Sequence, residues 1–119
     1  MQKDNLIVRD ILYYKNYYLD FFKTLKPTVK KKFNWTLQLI STIENVPERY
    51  FKHLSDSNGI FEIRVESGKE IYRVFCFFDK NKLVILINGF QKKTQKTPRQ
   101  EILRAEKLKQ EYFNEKEKK

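Results

Sequence analysis

Leu83-Val84-Ile85-Leu86-Ile87-Asn88-Gly89-Phe90 runs without a break into Gln91-Lys92-Lys93-Thr94-Gln95-Lys96-Thr97-Pro98, and this junction decides how the chain is read. Leu83 to Ile87 is the most apolar segment present and reads as a strand. Thr97 is a good helix N-cap. Pro98 suits the first helical position, where its missing N–H costs nothing, and Gln100 stands three residues after the cap as in a capping box. A strand and a helix are therefore joined by a link carrying Lys92, Lys93 and Lys96, with Arg99 just beyond and no acid among them. Gln91, Thr94 and Gln95 are interleaved. Such a link, pinned at both ends, can cradle a phosphate; by charge alone it could equally be a solvated basic loop.

The preceding segments alternate with period two. In Ile60 to Glu66, Phe61, Ile63 and Val65 face a core while Glu62, Arg64 and Glu66 face away. A turn at Ser67-Gly68 leads to the strand Ile71–Phe78, and Asp79–Lys82 turns into the last strand, Leu83 to Phe90. Arg73 is the only charged residue in its apolar strand. Pairing Val65 with Glu70, or a residue of the same parity, sets Arg73 opposite Glu62 on the face of Arg64. A slip by one would bury an unpaired guanidinium among Phe61, Ile63 and Val65, at a cost of several kcal/mol. Phe78 opposite Leu83 then sets Asn88 opposite Arg73. One face is expected to gather Glu62, Arg64, Arg73 and Asn88, with Phe75, Phe77, Val84 and Leu86 farther along. The other would hold Phe61, Ile63, Val65, Tyr72, Val74, Cys76, Phe78, Leu83, Ile85 and Ile87. The bare apolar part of the first face calls for cover, from the helical stripe Ile102, Ala105, Leu108 and Tyr112 or from a partner.

Nearer the N-terminus, Leu6 to Tyr14 reads as a first strand, added at an edge or beside the last one. Asn16 can cap a short helix through Leu25, and Pro27 opens a second. Val29, Phe33, Leu37, Ile40 and Ile43 recur at helical spacing, with Trp35 and Leu39 widening the stripe, and the helix must stop before Pro47. The reading is α+β: a first strand, an antiparallel two-helix hairpin, a mainly antiparallel sheet with a three-stranded meander, and a C-terminal helix. Residues 1–119 make one domain, with a Lys/Glu-rich tail from about 114 expected to fray.

The 25 Lys and Arg against 15 acids give a net charge of +10, which favours a polyanionic partner such as RNA, DNA or an acidic protein. Cys76 and His53 are the only residues of their kinds, so a disulfide framework, a thiolate metal cluster, a classical zinc site and a His-based triad are not expected. No metal or cofactor is called for. No signal-peptide or membrane-length apolar run is present, so a soluble cytoplasmic protein is expected.

The order Lys52-His53-Leu54, then Gly59-Ile60-Phe61-Glu62-Ile63-Arg64, then Tyr72-Arg73-Val74-Phe75, then Gly89-Phe90-Gln91-Lys92-Lys93-Thr94-Gln95-Lys96-Thr97-Pro98 resembles the phage Gp49-like, HigB-type branch of the RelE/ParE toxin superfamily, from about Tyr13 to Phe113. The Phe-x-Lys-Lys-Thr-x-x-Thr-Pro stretch is its specific part. The resemblance implies a RelE-like (microbial-ribonuclease-like) fold and the toxin of a type II toxin–antitoxin system. It also implies a ribosome-dependent mRNA endoribonuclease that inhibits translation, neutralised by a cognate antitoxin, in this branch usually a HigA-like helix-turn-helix DNA-binding protein. The partners are then mRNA, ribosomal RNA and the antitoxin. A ParE-like non-enzymatic inhibitor of DNA gyrase, or an inactive phage remnant that only binds its antitoxin, are the other readings of such a chain.

Metal-free RNA cleavage needs a base for the 2′-hydroxyl, cations for the charged phosphoryl oxygens, and an acid for the leaving 5′-oxygen. By resemblance, Arg73 corresponds to the transition-state arginine, Arg64 to a basic residue on the neighbouring strand, and Lys92 or Lys93 to the basic residue just after the last strand. Arg73 could instead be only an ion-pair partner of Glu62, and the two lysines only backbone contacts. The base is open among Glu48, Glu62, His53 and a lysine of depressed pKa. Thr94, Gln95, Lys96 and Arg99 are candidate RNA contacts. Lys30, Lys31 and Lys32, with Lys23 and Lys26, are candidate ribosomal RNA contacts or ordinary helix-surface charge.

Overall fold

The computed structural model describes residues 6–94 and 96–118. Eight elements follow in order: β1 (Asp10–Tyr13), α1 (Tyr17–Lys23), α2 (Pro27–Thr42), β2 (Phe51–His53), β3 (Phe61–Ser67), β4 (Glu70–Asp79), β5 (Leu83–Lys92) and α3 (Arg99–Glu117). The sheet runs β1-β5-β4-β3-β2, with β1 parallel to β5 and every other pair antiparallel. Helices α1 and α2 cover one face and α3 the other, giving the expected RelE-like α+β arrangement.

Helix α2 carries its sequence signature into the core. Val29, Phe33 and Ile40 are fully buried against Ile63, Val65, Tyr72 and Val74, while Ile43 and Trp35 are exposed, so Trp35 does not widen the stripe. Its last turn contains no basic residue, and Arg9 supplies the cation from outside. Arg9 Nη1 donates to the Ile40 and Ile43 carbonyls and Nη2 to that of Glu44, each at 2.8 Å. That engagement accounts for the short first strand. The backbone at Val8 and Arg9 donates to Ser41, and pairing with β5 starts only at Asp10, not at Leu6.

The strand pairing departs from expectation at three further places. Strand β2 was not foreseen, because three residues carry no period; Phe51, Lys52 and His53 pair with Ile63, Glu62 and Phe61. In the first hairpin, Val65 faces Tyr72, so Arg73 lies opposite Arg64 and Glu62 opposite Phe75. The parity expected for Arg73 holds, yet its partner is shifted by two. In the second hairpin Asp79, not Phe78, faces Leu83, because Lys80 and Asn81 turn with φ of 58° and 44° and close a shorter loop. The faces of β5 are thereby exchanged. Val84 and Leu86 join the α1/α2 core, and Leu83, Ile85 and Ile87 pack under α3 with Phe75 and Phe77. A bulge at Ile87-Asn88, opposite Phe75, then restores the parity: Gly89 faces Val74, and Phe90 rather than Asn88 faces Arg73.

The apolar patch beside the arginines is covered by α3, through Ile102, Ala105, Leu108 and the ring of Tyr112 against Phe77. Helix α3 continues through Glu117, and Lys116 Nζ and the Tyr112 hydroxyl both donate to the buried Asp79 carboxylate at 2.7 Å.

Gly89 lies where α1 crosses β5. A methyl group there would overlap the Phe21 ring, which itself packs edge-on against Phe33 at 5.8 Å. Gly89→Ala is therefore expected to lower stability by about 1–3 kcal/mol through overpacking. Urea unfolding checks this, and Gly89→Ala combined with Phe21→Leu should recover part of the loss.

Candidate functional site

The turn end of the β3–β4 hairpin and the exit of β5 meet on the α3 side of the sheet. Arg64 and Arg73 face each other there across the strand pair. Like charges set directly opposite repel, so a third group must hold them. Glu62, two residues before Arg64 on the same face, does so: its Oε1 lies 3.5 Å from the Nε of both guanidiniums. Glu62 is 2% exposed and Arg73 3%, whereas Arg64 is 25% exposed and reaches solvent. The other oxygen of Glu62, Oε2, accepts a 2.6 Å hydrogen bond from the Thr97 hydroxyl. Thr97 is therefore not the N-cap of α3. Pro98 holds the cap position, and no side chain caps the helix.

One carboxylate cannot satisfy two guanidiniums. Arg73 Nη1 donates to the Tyr72 carbonyl at 3.0 Å and Arg64 Nη1 to the Glu48 carbonyl at 3.3 Å. The Nε of each is buried with no hydrogen-bond partner among the described residues. Burial lowers the pKa of Arg73, and Arg64 adds to that effect against the pull of Glu62 and Glu66. An arginine still keeps its proton at any working pH. Lys92 follows Phe90 by two on β5 and so shares the face of Arg73. Burial, then the nearby Arg73, push its pKa below the ordinary lysine value. The cleft over these groups measures about 510 Å³ and is lined by Arg64, Glu66, Lys69, Ile71, Arg73, Lys92, Lys93 and Thr94. It is strongly cationic, with five basic side chains against the single acid Glu66.

A family model described as phage derived protein Gp49-like (DUF891) matches residues 20–110, more than half of the chain. The chain belongs to the Gp49-like family. That family is the RelE/HigB-like toxin group, whose toxins are paired with antitoxins. No curated protein matches the chain significantly.

In this Gp49-like chain the cleft brings together Arg64, Arg73, Lys92, Lys93, Thr94 and, behind the arginines, Glu62. A second hollow shares Thr94 with it and holds Lys52, His53, Asp56, Lys96, Thr97 and Arg99. Lys96 and Arg99 are thus neighbours of the cleft, and Arg99 Nη1 is turned toward the Asp56 carbonyl at 3.3 Å. Gln95 lies outside the described residues. Glu48 is exposed, and its recorded contact with Arg64 is through its backbone carbonyl. His53 is exposed with its ring 4.9 Å from that of Phe61.

The three helix lysines divide. Lys31 and Lys32 line a hollow beside Arg64, while Lys30 lies over the Phe22 ring at 5.5 Å. Sequence reasoning missed two groups at the site. Lys69 ends the first hairpin at the level of Lys92, which the pairing of Ile71 with Lys92 would have shown. Lys52 shares the face of Glu62 through β2, the strand too short to read. Among the described residues, no group of three or more metal-ligating side chains exists, and no helix is long and apolar enough to cross a membrane.

Removing the Glu62 charge should leave both guanidiniums without a counterion. Glu62→Gln is expected to cost about 3 kcal/mol in low-salt buffer. Sulfate should restore more of that stability than chloride at equal ionic strength, as urea unfolding would report. Equal recovery in both salts would mean that the arginines do not share an anion site.

Proposed function

We propose that the chain is a ribosome-dependent mRNA endoribonuclease, the toxin of a type II toxin–antitoxin pair that blocks translation in the cytoplasm. The observation that carries this reading is the convergence of Arg64, Arg73 and Lys92 on one cleft. A non-enzymatic binder has no need of such a cluster. Membership in a family of toxins supports the biological role. A HigA-like helix-turn-helix protein is the proposed antitoxin.

In the proposed reaction the scissile phosphate lies against Arg64 and Arg73. Lys92, whose lowered pKa raises its neutral fraction, takes the proton of the 2′-hydroxyl. The 2′-oxygen then bonds to phosphorus, and charge gathering on the phosphoryl oxygens meets the two guanidiniums, which are permanently charged and can bind bidentately. The P–O5′ bond breaks, and the Lys93 ammonium returns a proton to the 5′-oxygen. The products are a 2′,3′-cyclic phosphate and a 5′-hydroxyl. Glu62 acts in this scheme as the positioning residue for the arginines, since its oxygens already face Arg64, Arg73 and Thr97. Thr94, Lys96 and Arg99 contact the RNA backbone beyond the scissile step.

Translation-coupled cleavage of mRNA, with analysis of the new ends, tests the reading. Arg73→Lys, chosen to keep the buried charge, should cut the rate by about 10²–10³-fold with a melting temperature near that of wild type. Equal cleavage by both proteins would remove the role of Arg73, and DNA supercoiling inhibited in place of cleavage would replace the whole reading. The pH profile tests Lys92. A base works when neutral, so the rate should climb with pH and level off below the ordinary lysine range. Lys92→Arg should abolish that climb, and a rate falling with pH would show Lys92 acting as a cation.

A further inference from the structure

We propose that the hollow beside Trp35 is a nucleobase subsite, in which the RNA strand held at Arg64 and Arg73 stacks a neighbouring base on the indole of Trp35. The inference rests on the ribonuclease reading for the identity of the strand, but its geometry is separate. The hollow measures about 510 Å³, and its lining includes Lys31, Lys32, Trp35, Arg49, Tyr50 and Arg64.

Trp35 is 53% exposed on α2, two residues from the fully buried Phe33. It stands edge-on to Tyr50, with ring centroids 5.4 Å apart at 69°. Tyr50 is held in turn by Arg49, whose guanidinium lies 4.8 Å from the ring centroid and donates to the hydroxyl at 2.7 Å. The floor of the hollow is fixed on its other side by Lys32, which donates to the Glu66 carbonyl at 3.0 Å. The result is a braced aromatic ring with exposed surface, rimmed by Lys31, Lys32, Arg49 and Arg64 and by the single acid Glu66.

Two features select single-stranded RNA as the occupant. A flat ring among cations matches a base attached to an anionic backbone, and stacking of that kind tolerates any base. The hollow also adjoins the phosphate cleft, because Arg64 and Glu66 line both. A strand crossing the edge of β3 would meet the arginines with its phosphate and Trp35 with its base. An acidic peptide is the rival occupant.

Trp35 is the only tryptophan in the chain, so its emission reports this one place. The probe is a short oligoribonucleotide methylated at every 2′-oxygen, which binds but cannot be cleaved by 2′-attack. It should quench Trp35 saturably, and Trp35→Ala should weaken its binding roughly tenfold while Trp35→Phe retains most of the affinity. An oligonucleotide of equal length with abasic positions should bind wild type as weakly as the intact probe binds Trp35→Ala. Unchanged affinity in Trp35→Ala, equal binding of the abasic strand, or quenching by a poly-glutamate peptide but not by the oligonucleotide would each overturn the proposal. Because the probe is not cleaved, failure of the nuclease reading leaves the quenching intact, and failure of the subsite leaves cleavage by Arg73-containing protein to be measured on its own.

Discussion

The Glu62 carboxylate, buried between the guanidiniums of Arg64 and Arg73, is the interaction on which the rest of the site depends. Two like charges directly across a strand pair are a local conflict, and at about 4 Å and an effective dielectric near 20 each ion pair is worth about 4 kcal/mol before desolvation is subtracted. A single carboxylate therefore holds the pair together but leaves an excess of positive charge and two buried N–H groups without partners among the described residues. Folds tolerate such conflicts where function uses them. In the proposed reaction a phosphoryl group in the cleft would offset that excess of positive charge.

The remainder of the fold can be understood as what keeps those three side chains on the α3 side. The α1/α2 face of the sheet is packed by Val29, Phe33 and Ile40 against Ile63, Val65 and Val74, which leaves no place there for an arginine and so fixes the parity of β3 and β4. The bulge at Ile87-Asn88 then returns β5 to that parity, so that Phe90 and Lys92 fall on the side of Arg73. Helix α3 seals the apolar portion of this face and stops short of the cationic portion. The Thr97 hydroxyl, at the end of the basic link, closes the arrangement by binding the same carboxylate that holds the arginines. Asn88, on the bulge, donates to Glu101 in the first turn of α3 at 3.2 Å and ties the two parts together.

Element type and order could be read from the residues because each long element carries a clear period: Val29-Phe33-Ile40 for α2, Ile63-Val65 for β3, Ile102-Ala105-Leu108 for α3. The grouping of Arg64, Arg73 and Lys92 was also within reach, since burying Arg73 on the apolar face is too costly. What escaped was pairing that no pattern encodes. The positive φ of Lys80 and Asn81 shortened the second turn by one residue and exchanged the faces of Leu83 to Ile87, and neither residue is a glycine that would have signalled it. Strand β2 exists only because the edge of β3 accepts it, so Lys52 was not seen beside Glu62. Thr97 had the look of a cap, but a charged, buried carboxylate offered its hydroxyl a stronger partner than the helix backbone did.

The most direct measurement follows the two guanidinium Nε–H groups by ¹⁵N–¹H NMR while inorganic phosphate, and then an uncleavable dinucleotide, is titrated into the protein. If the cleft is an anion site, the Arg64 and Arg73 signals will shift together with one saturable dissociation constant, and those of Arg9 and Arg104, which lie outside the cleft, will stay in place. Signals of Arg64 and Arg73 that remain still, or that drift only with ionic strength as every other arginine does, would contradict the account.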